Sequence, residues 1–160
     1  MNPNDVSQMP TDGKQPADST PIPAERIQLP TGSFTLEELT LLFDNLPAEI
    51  SFIDKDDTVR FFNTRPTAFF SRPKAALGKN MRVCHPKRLL PMIEQLLDDF
   101  KNGRQDKALF WRSNHNGSFI SIAYYALRNE KGEYTGTLEV VQDISEIKQL
   151  EGDRNDLVYP

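Results

Sequence analysis

The chain has 160 residues, of which 38% are hydrophobic and 26% are charged, a length that allows one globular domain. Its net charge of -4, from 19 Lys and Arg against 23 Asp and Glu, gives no global reason to expect a nucleic acid or an anionic membrane as partner. No apolar run approaches the roughly 18 to 20 residues of a membrane span, and the start of the chain lacks the basic and apolar parts of a signal peptide. The single cysteine, Cys84, excludes an internal disulfide. We therefore expect a cytoplasmic protein.

Residues 1–33 are predicted to form a disordered N-terminal tail. Six of the 12 prolines lie in this stretch, which contains no aromatic residue and is rich in Asp, Ser, Thr and Gln. Such a composition cannot bury enough apolar surface to offset the entropy of ordering. The folded part is expected to begin at Phe34.

The first half of the folded part begins with a predicted helix over residues 35–45, where Leu and Phe recur at helical intervals after a Thr35 and Glu38 capping box. Pro47 ends this helix. Two runs of β-branched and aromatic residues, around 50–53 and 59–62, flank an acidic turn and predict a β-hairpin. Two prolines and a glycine break residues 63–85 into short helical turns.

The second half begins with the clearest helix of the chain, which follows Pro86 and ends at Gly103. Three strands are predicted at 106–113, 118–128 and 134–142, and the turns between them contain the Asn and Gly that positive backbone angles favour. A second helical stretch is predicted from Glu146 onward.

This order predicts an α+β fold with a five-stranded antiparallel sheet, helices on one face of it, and flanking N- and C-terminal helices. The predicted domain covers residues 34–145, and residues 146–160 form a C-terminal helix and tail.

Three stretches of this sequence carry a family resemblance. Residues 52–63 place an acidic turn before an apolar strand that ends in Asn, residues 75–79 read Ala-Ala-Leu-Gly-Lys, and residues 136–146 form an apolar strand that ends in Asp-Ile-Ser-Glu. In this order they resemble a PAS domain: its opening hairpin, its short helix followed by Gly and Lys, and its last strand with the joint to a signalling helix. Asp57 departs from the family, which usually has Gly in this turn. More narrowly, residues 80–86, the following helix and Phe110-Trp111 resemble the C-terminal PAS domain of a bacterial and archaeal group that often follows a hemerythrin-like domain.

The resemblance implies a sensory module for signal transduction. In PAS domains the sheet and the short helices enclose a small cavity, and its occupant changes the strain in the flanking helices. These domains commonly pair through those helices, so a homodimer is expected. Ile144, Ile147 and Leu150 would form a short packing seam, which could extend to Leu157.

Six residues are candidates for contact with a small ligand, and the alternative for the aromatic ones is a place in the core. They are Phe62, Asn63, Cys84, His85, Trp111 and Tyr124.

His85 is also a candidate metal or haem ligand, because imidazole and the neighbouring Cys84 thiolate both bind soft or borderline metals. The alternative is a hydrogen-bonded histidine beside a small buried cysteine. His115 lies in a predicted turn and is not expected to join His85 in one site. We assign no cofactor from the sequence, with haem as the alternative.

Charge is unevenly placed, because residues 58–93 contain eight basic residues and no Asp or Glu. This segment could attract an anionic ligand, a phosphate-bearing partner or an acidic protein surface. The alternative is a solvated face balanced by acidic residues elsewhere. The predicted basic patch consists of Arg65, Arg72, Lys74, Lys79 and Arg82.

The motifs of common enzyme classes are absent: there is no phosphate-binding loop, no HExxH and no GxSxG. We therefore predict a non-enzymatic PAS-like module that binds a small ligand or a protein partner and transmits its state through the flanking helices. The alternatives are a haem- or metal-dependent redox or gas sensor using His85, and a ligand-free dimerisation domain.

Overall fold

Five antiparallel strands form one sheet in the computed structural model, which describes residues 25–66, 68–157 and 159. The strands are β3 (Glu49–Asp54), β4 (Val59–Phe62), β5 (Lys107–His115), β6 (Ser118–Arg128) and β7 (Tyr134–Asp143). Their spatial order in the sheet is β4-β3-β7-β6-β5. Two helices accompany them, α1 (Leu36–Asp44) and α2 (Leu90–Lys101). The predicted α+β fold with a five-stranded antiparallel sheet is confirmed.

The strand register decides which side chains share a face of the sheet. Ser51 on β3 lies opposite Glu139 on β7, which in turn lies opposite Tyr124 on β6. Because side chains alternate along a strand, these residues share one face with Ile53 and Ile122. We call this side the inner face, since the helical segments cover it.

The inner face is covered by α2 and by three 3-10 helices, Lys74–Ala76, Met81–Cys84 and Lys87–Leu89. Along α2 the buried residues are Ile93, Leu97 and Phe100, whose spacing of 4 and 3 gives the helix one apolar stripe. Ile93 and Leu97 pack in a core cluster with Ile53, Val59 and Met81. This packing holds the short helices and α2 against the strands.

Asp57 lies in the β3-β4 turn with a left-handed backbone (φ 63°). Asp tolerates this conformation better than most residues other than Gly, so the turn accommodates Asp at this position.

The N-terminal part of the chain differs from the sequence-based prediction. The chain divides into two units, residues 1–36 and 37–160. Of the predicted tail, residues 1–24 lie outside the described residues. In the rest of the first unit, β1 (Arg26–Leu29) and β2 (Gly32–Thr35) form an antiparallel hairpin. The alternating residues Ile27 and Leu29 before a Pro-Thr turn are the local strand signal that the overall composition concealed.

The C-terminal helix predicted from residue 146 is reduced to a 3-10 turn at Ile147–Gln149. Leu150 is extended and Gly152 is left-handed (φ 65°), so the backbone cannot continue as a helix. Asp153 and Asn155 are also poor helix formers. Within the described part of the chain, no helix combines the length and the apolar character needed to cross a membrane.

Candidate functional site: a cavity over the inner face of the sheet

A cavity of about 930 Å³ lies between the inner face and the segment of short helices. Its volume is near the upper end of the range for pockets that hold drug-sized molecules. Much of its wall is apolar, contributed from the strands and from the helical segment by Ile53, Val59, Phe62, Met81, Leu89, Met92, Phe110 and Ile122. The cavity therefore offers an apolar volume large enough for a substantial ligand.

Polar groups converge on Arg72 at one part of the cavity wall. Its Nε donates to Ser51 Oγ at 3.0 Å and its Nη2 to Glu139 Oε2 at 3.1 Å, while Nη1 pairs with Glu49 Oε2. Tyr124 donates from its hydroxyl to the other oxygen of Glu139 at 2.8 Å. We call Arg72, Glu49, Ser51, Glu139 and Tyr124 the Arg72 cluster.

Burial makes the Arg72 cluster electrostatically strong. The side chains of Arg72 and Glu139 are each 14% exposed and that of Glu49 only 3%. Burial and the adjacent Glu139 carboxylate raise the pKa of Tyr124 far above its usual value, so its hydroxyl stays protonated and donates. Little water screens these charges, and each carboxylate keeps a protein donor.

Sequence reasoning missed the three acceptors of this cluster, Glu49, Ser51 and Glu139. Along β3 the polar residues Glu49 and Ser51 alternate with the apolar residues Ile50 and Phe52, and the alternation ends at Ile53. That alternation is the available signal, but it assigns Glu49 to the inner face only once the register with β7 is known.

The structure brings five of the six predicted ligand residues to the cavity. Phe62 and Tyr124 line it from the sheet, Cys84 and His85 line it from the helical segment, and Trp111 borders it from the edge strand β5 with 65% of its surface exposed.

Asn63 is the exception, because it does not line the cavity. Its side-chain oxygen accepts from Ile50 N at 2.8 Å, and its amide nitrogen donates to Phe43 O at 2.8 Å and Ala48 O at 2.9 Å. The residue is 6% exposed and does not line the cavity. Because backbone groups use its side-chain donors and acceptor, Asn63 fixes the connection between α1 and β3 rather than a ligand.

Cys84 and His85 differ in their suitability as metal ligands. Although Cys84 is exposed as a residue, partial burial of its sulfur raises the pKa of the thiol, which disfavours the thiolate that binds metals. His85 Nδ1 lies 2.9 Å from Met81 O, and Nε2 has no hydrogen-bond partner among the described residues. The described residues contain no group of three or more His, Cys, Asp or Glu that could hold a metal ion.

His115 also lines the cavity, contrary to the expectation that it lies apart from His85. β5 extends to His115, two residues beyond its predicted end, and the turn is confined to Asn116 and Gly117, which both have positive φ. The side chain reaches Phe69 O, 3.0 Å from Nε2, and its ring lies 5.1 Å from that of Phe70.

The five residues of the predicted basic patch lie in different surroundings. Arg72 belongs to the Arg72 cluster and Lys79 lines the cavity, whereas Arg65 and Lys74 lie outside it. Arg82 donates from Nη1 to Asp57 Oδ2 at 2.7 Å and from Nη2 to Glu94 Oε2 at 2.7 Å. Its two hydrogen-bond partners, Glu94 and Asp57, raise the pKa of Arg82 above its already high usual value.

Lys101 completes this second group, since its Nζ lies 2.6 Å from Asp57 Oδ1, a close ion pair without the angle of an aligned hydrogen bond. We call Arg82, Asp57, Glu94 and Lys101 the Arg82 cluster. It links the β3-β4 turn, a short helix and α2.

Comparisons with known proteins agree with this architecture. The family model described as PAS domain matches residues 39–145, more than half of the chain. A crystal structure of a C-terminal domain from Streptococcus mutans is 32% identical, covers 80% of this chain and 98% of its own, and has a TM-score of 0.74. Comparison with curated proteins finds no match.

Two more distant solved structures show the same fold. A PAS domain from Colwellia psychrerythraea is 16% identical, covers 69% of this chain and 98% of its own, and has a TM-score of 0.51. The PAS domain of BvgS from Bordetella pertussis is 22% identical, covers 71% of this chain and 89% of its own, and has a TM-score of 0.50. The sheet order, the cavity beneath the short helices and the family match lead to one conclusion: this chain belongs to the PAS domain family.

Proposed function

We propose that this chain is a non-enzymatic sensory module that binds a small molecule in the cavity and transmits its state through the segments that flank the PAS domain. The observation that supports this most directly is the cavity of about 930 Å³ with the Arg72 cluster in its wall. Apolar volume with a few converging polar groups is the usual form of a small-molecule site. A ligand acts as a signal only if two conformations bind it differently.

Strand β7 provides a route for such a signal. Glu139 on β7 pairs with Arg72 at the cavity, and the same strand ends at Asp143. Beyond it, Ser145 N donates to Asp143 Oδ1 at 2.8 Å, and Phe119 N donates to Ser145 Oγ at 2.8 Å. A ligand that changes the Arg72–Glu139 pairing therefore acts on the strand that leads into the C-terminal segment.

Native mass spectrometry of gently purified protein tests ligand binding. We expect a small molecule to be retained from the cells or captured from a metabolite extract. Met92→Trp adds bulk to the cavity wall and should abolish retention. Leu77→Trp is the matched control, because Leu77 is 41% exposed against 43% for Met92 and does not line the cavity. Retention that survives Met92→Trp, or no retention by the natural protein, would contradict the proposal.

Haem is a second candidate, supported by the geometry of His85. Its Nδ1 is held near Met81 O, the arrangement in which a histidine commonly presents Nε2 to a metal. The fit extends to the basic residues of the wall, since Lys79, Arg88 and Arg112 are suited to pair with propionates. His85 would hold the iron, which supplies gas binding or a redox change. An absorption spectrum after expression with haem supplied should show a Soret band that His85→Ala removes, and no band would exclude this candidate.

Homodimerisation stays a prediction, and so does the narrower resemblance to PAS domains that follow hemerythrin-like domains. Ile147 and Leu150 of the expected seam are 52% and 73% exposed, which leaves them available to a second copy. Sedimentation should show a dimer at high micromolar concentration that Ile147→Asp weakens. A monomer at that concentration would contradict the prediction.

A further inference from the structure

We propose that the ligand of this cavity is an organic acid, with a carboxylate head that pairs with Arg112 and an apolar body that lies against the wall. This inference rests on the proposed function, because it assigns the chemistry of the ligand that the cavity binds. The observation that supports it is the distribution of paired and unpaired charges around the apolar cavity.

The charges of the cavity wall are not balanced. Four cationic side chains, those of Arg72, Lys79, Arg88 and Arg112, line the cavity together with one carboxylate, that of Glu139. Even when Glu49, which pairs with Arg72, is counted with Glu139, the cations outnumber the carboxylates by two. A partly enclosed site with surplus positive charge favours an anionic occupant.

The surplus lies on Lys79, Arg88 and Arg112. Among the described residues, no carboxylate forms an ion pair with any of these three. Arg72 and Arg82, by contrast, each pair with two carboxylates. Lys79, Arg88 and Arg112, which have no ion-pair partner in the described part of the chain, therefore leave positive charge at the cavity available for a ligand.

Arg112 is the best placed of the three to receive a carboxylate. It lies on β5 opposite Ile120 of the inner face, and its guanidinium carbon is 5.9 Å from the centre of the Phe70 ring. The guanidinium carbon of Arg72 is also 5.9 Å from that ring centre, and the His115 ring centre is 5.1 Å away. The planar guanidinium presents two parallel N–H donors, which match the two oxygens of a carboxylate.

The apolar residues and the paired carboxylates of the wall make an inorganic anion or a cationic molecule a poor fit as the ligand. Phe62, Met92, Phe110 and Ile122 face the same volume, and their burial against an apolar body adds the hydrophobic part of the affinity. A cationic head would need a free carboxylate. Glu139 already accepts from Arg72 and Tyr124, and Glu49 already accepts from Arg72 and from Phe69 N.

Three probes of equal chain length separate the head groups: decanoate, decanol and decylamine. The fluorescence of Trp111 reports binding, because it is the only tryptophan and it borders the cavity. We expect the affinity for decanoate to be at least about tenfold higher than that for decanol, and decylamine to bind more weakly than both. The preference for decanoate should fall as the salt concentration rises from about 50 mM to about 500 mM.

Paired substitutions locate the head group. Arg112→Gln should reduce the preference for decanoate over decanol to about threefold or less, while the affinity for decanol stays the same. Arg65→Gln is the matched control, since Arg65 lies in the same basic segment but outside the cavity, and it should leave the preference unchanged. Lys79→Gln and Lys74→Gln form a second pair of variant and control, because Lys79 lines the cavity and Lys74 does not. Equal loss of preference in Arg112→Gln and Arg65→Gln would overturn the assignment.

Failure of this inference differs from failure of the proposed function. If decanol or decylamine binds as tightly as decanoate, or if mass spectrometry identifies a neutral or cationic molecule in the cavity, the cavity is a ligand site and the organic-acid assignment is wrong. If no probe binds and no molecule is retained, both are wrong.

Discussion

Two arginines of the same basic segment, Arg72 and Arg82, are each held between two carboxylates, yet they serve different parts of the molecule. Arg72 joins Glu49 on β3 to Glu139 on β7 in the wall of the cavity. Arg82 joins Asp57 in the β3-β4 turn to Glu94 on α2. The first pairing lies where a ligand can compete for it, whereas the second fastens a short helix to its neighbours.

Solvent exposure separates the energetics of the two clusters. The side chain of Arg72 is 14% exposed, whereas Arg82 is 30% exposed and Glu94 50%. Charges removed from water interact strongly but depend on complete pairing, while exposed pairs are weakened by solvent and salt. Loss of the central arginine should therefore cost far more in the Arg72 cluster than in the Arg82 cluster.

The largest effect is expected from Arg72→Met. This change leaves Glu49 and Glu139 without their shared cation, and breaking a buried pair in this way costs about 3–5 kcal/mol. Urea unfolding followed by circular dichroism measures the loss. Lys74→Met in the same segment should change stability by less than about 0.5 kcal/mol. If Arg72→Met costs about as little as Lys74→Met, the Arg72 cluster does not stabilise the fold.

A smaller loss is expected from Asp57→Asn, which removes the best-buried charge of the Arg82 cluster. The Asp57 side chain is 8% exposed and contacts both Arg82 and Lys101, so the loss of its charge should cost about 1–3 kcal/mol in urea unfolding. Asn tolerates the left-handed backbone of this position as well as Asp does.

Asp57→Gly is the companion variant, because Gly adopts the same backbone without strain but has no side chain. Both variants should be destabilised. A stability of Asp57→Gly equal to that of the natural protein would show that the carboxylate contributes nothing and that the turn requires only the backbone conformation.

The two clusters also show which features of the fold could be predicted from the sequence and which could not. The strands, α1 and α2 follow from local patterns, since residues such as Ile93, Leu97 and Phe100 repeat at helical spacing. The Arg72 cluster depends instead on pairing between residues 67 positions apart, Arg72 and Glu139, which no local pattern contains. Counting charges in sequence grouped Arg72 and Arg82 in one basic patch, whereas the fold pairs each of them with two carboxylates from outside that segment.

The candidate site was predictable where side-chain chemistry and strand alternation agree, as for Phe62 and Tyr124. It was not predictable for Asn63, because a polar residue at the end of a strand can face a ligand or complete a loop, and the chain segments around Phe43 and Ala48 decide between them. The C-terminal helix was predicted wrongly for a related reason. The spacing of Ile144, Ile147 and Leu150 suits a helix, but this spacing does not compensate for the low helix propensity of Gly152 and of the polar residues that follow.

Salt should distinguish the two clusters in a third experiment. Arg82→Met is expected to cost about 1 kcal/mol at low salt, and less at about 1 M salt, because the partly exposed pair with Glu94 is screened. The cost of Arg72→Met should stay nearly constant over the same range, since its partners are buried. Equal salt dependence of the two costs would remove the distinction between the clusters.

The smallest effect is expected from Glu94→Gln, and it should depend on pH. The hydrogen bond from Arg82 lowers the pKa of Glu94, so the folded state favours the ionised carboxylate. Because the folded pKa lies below the unfolded value of about 4.3, the stabilisation by this carboxylate is fully present above that value and is lost as the pH falls through the folded pKa. Urea midpoints of the natural protein and Glu94→Gln should differ by a constant amount between about pH 7 and about pH 5, and should converge in more acidic solution. A difference that persists unchanged in acid would mean that Glu94 acts through packing rather than through its charge, and the Arg82 cluster would then owe its stability to Asp57 alone.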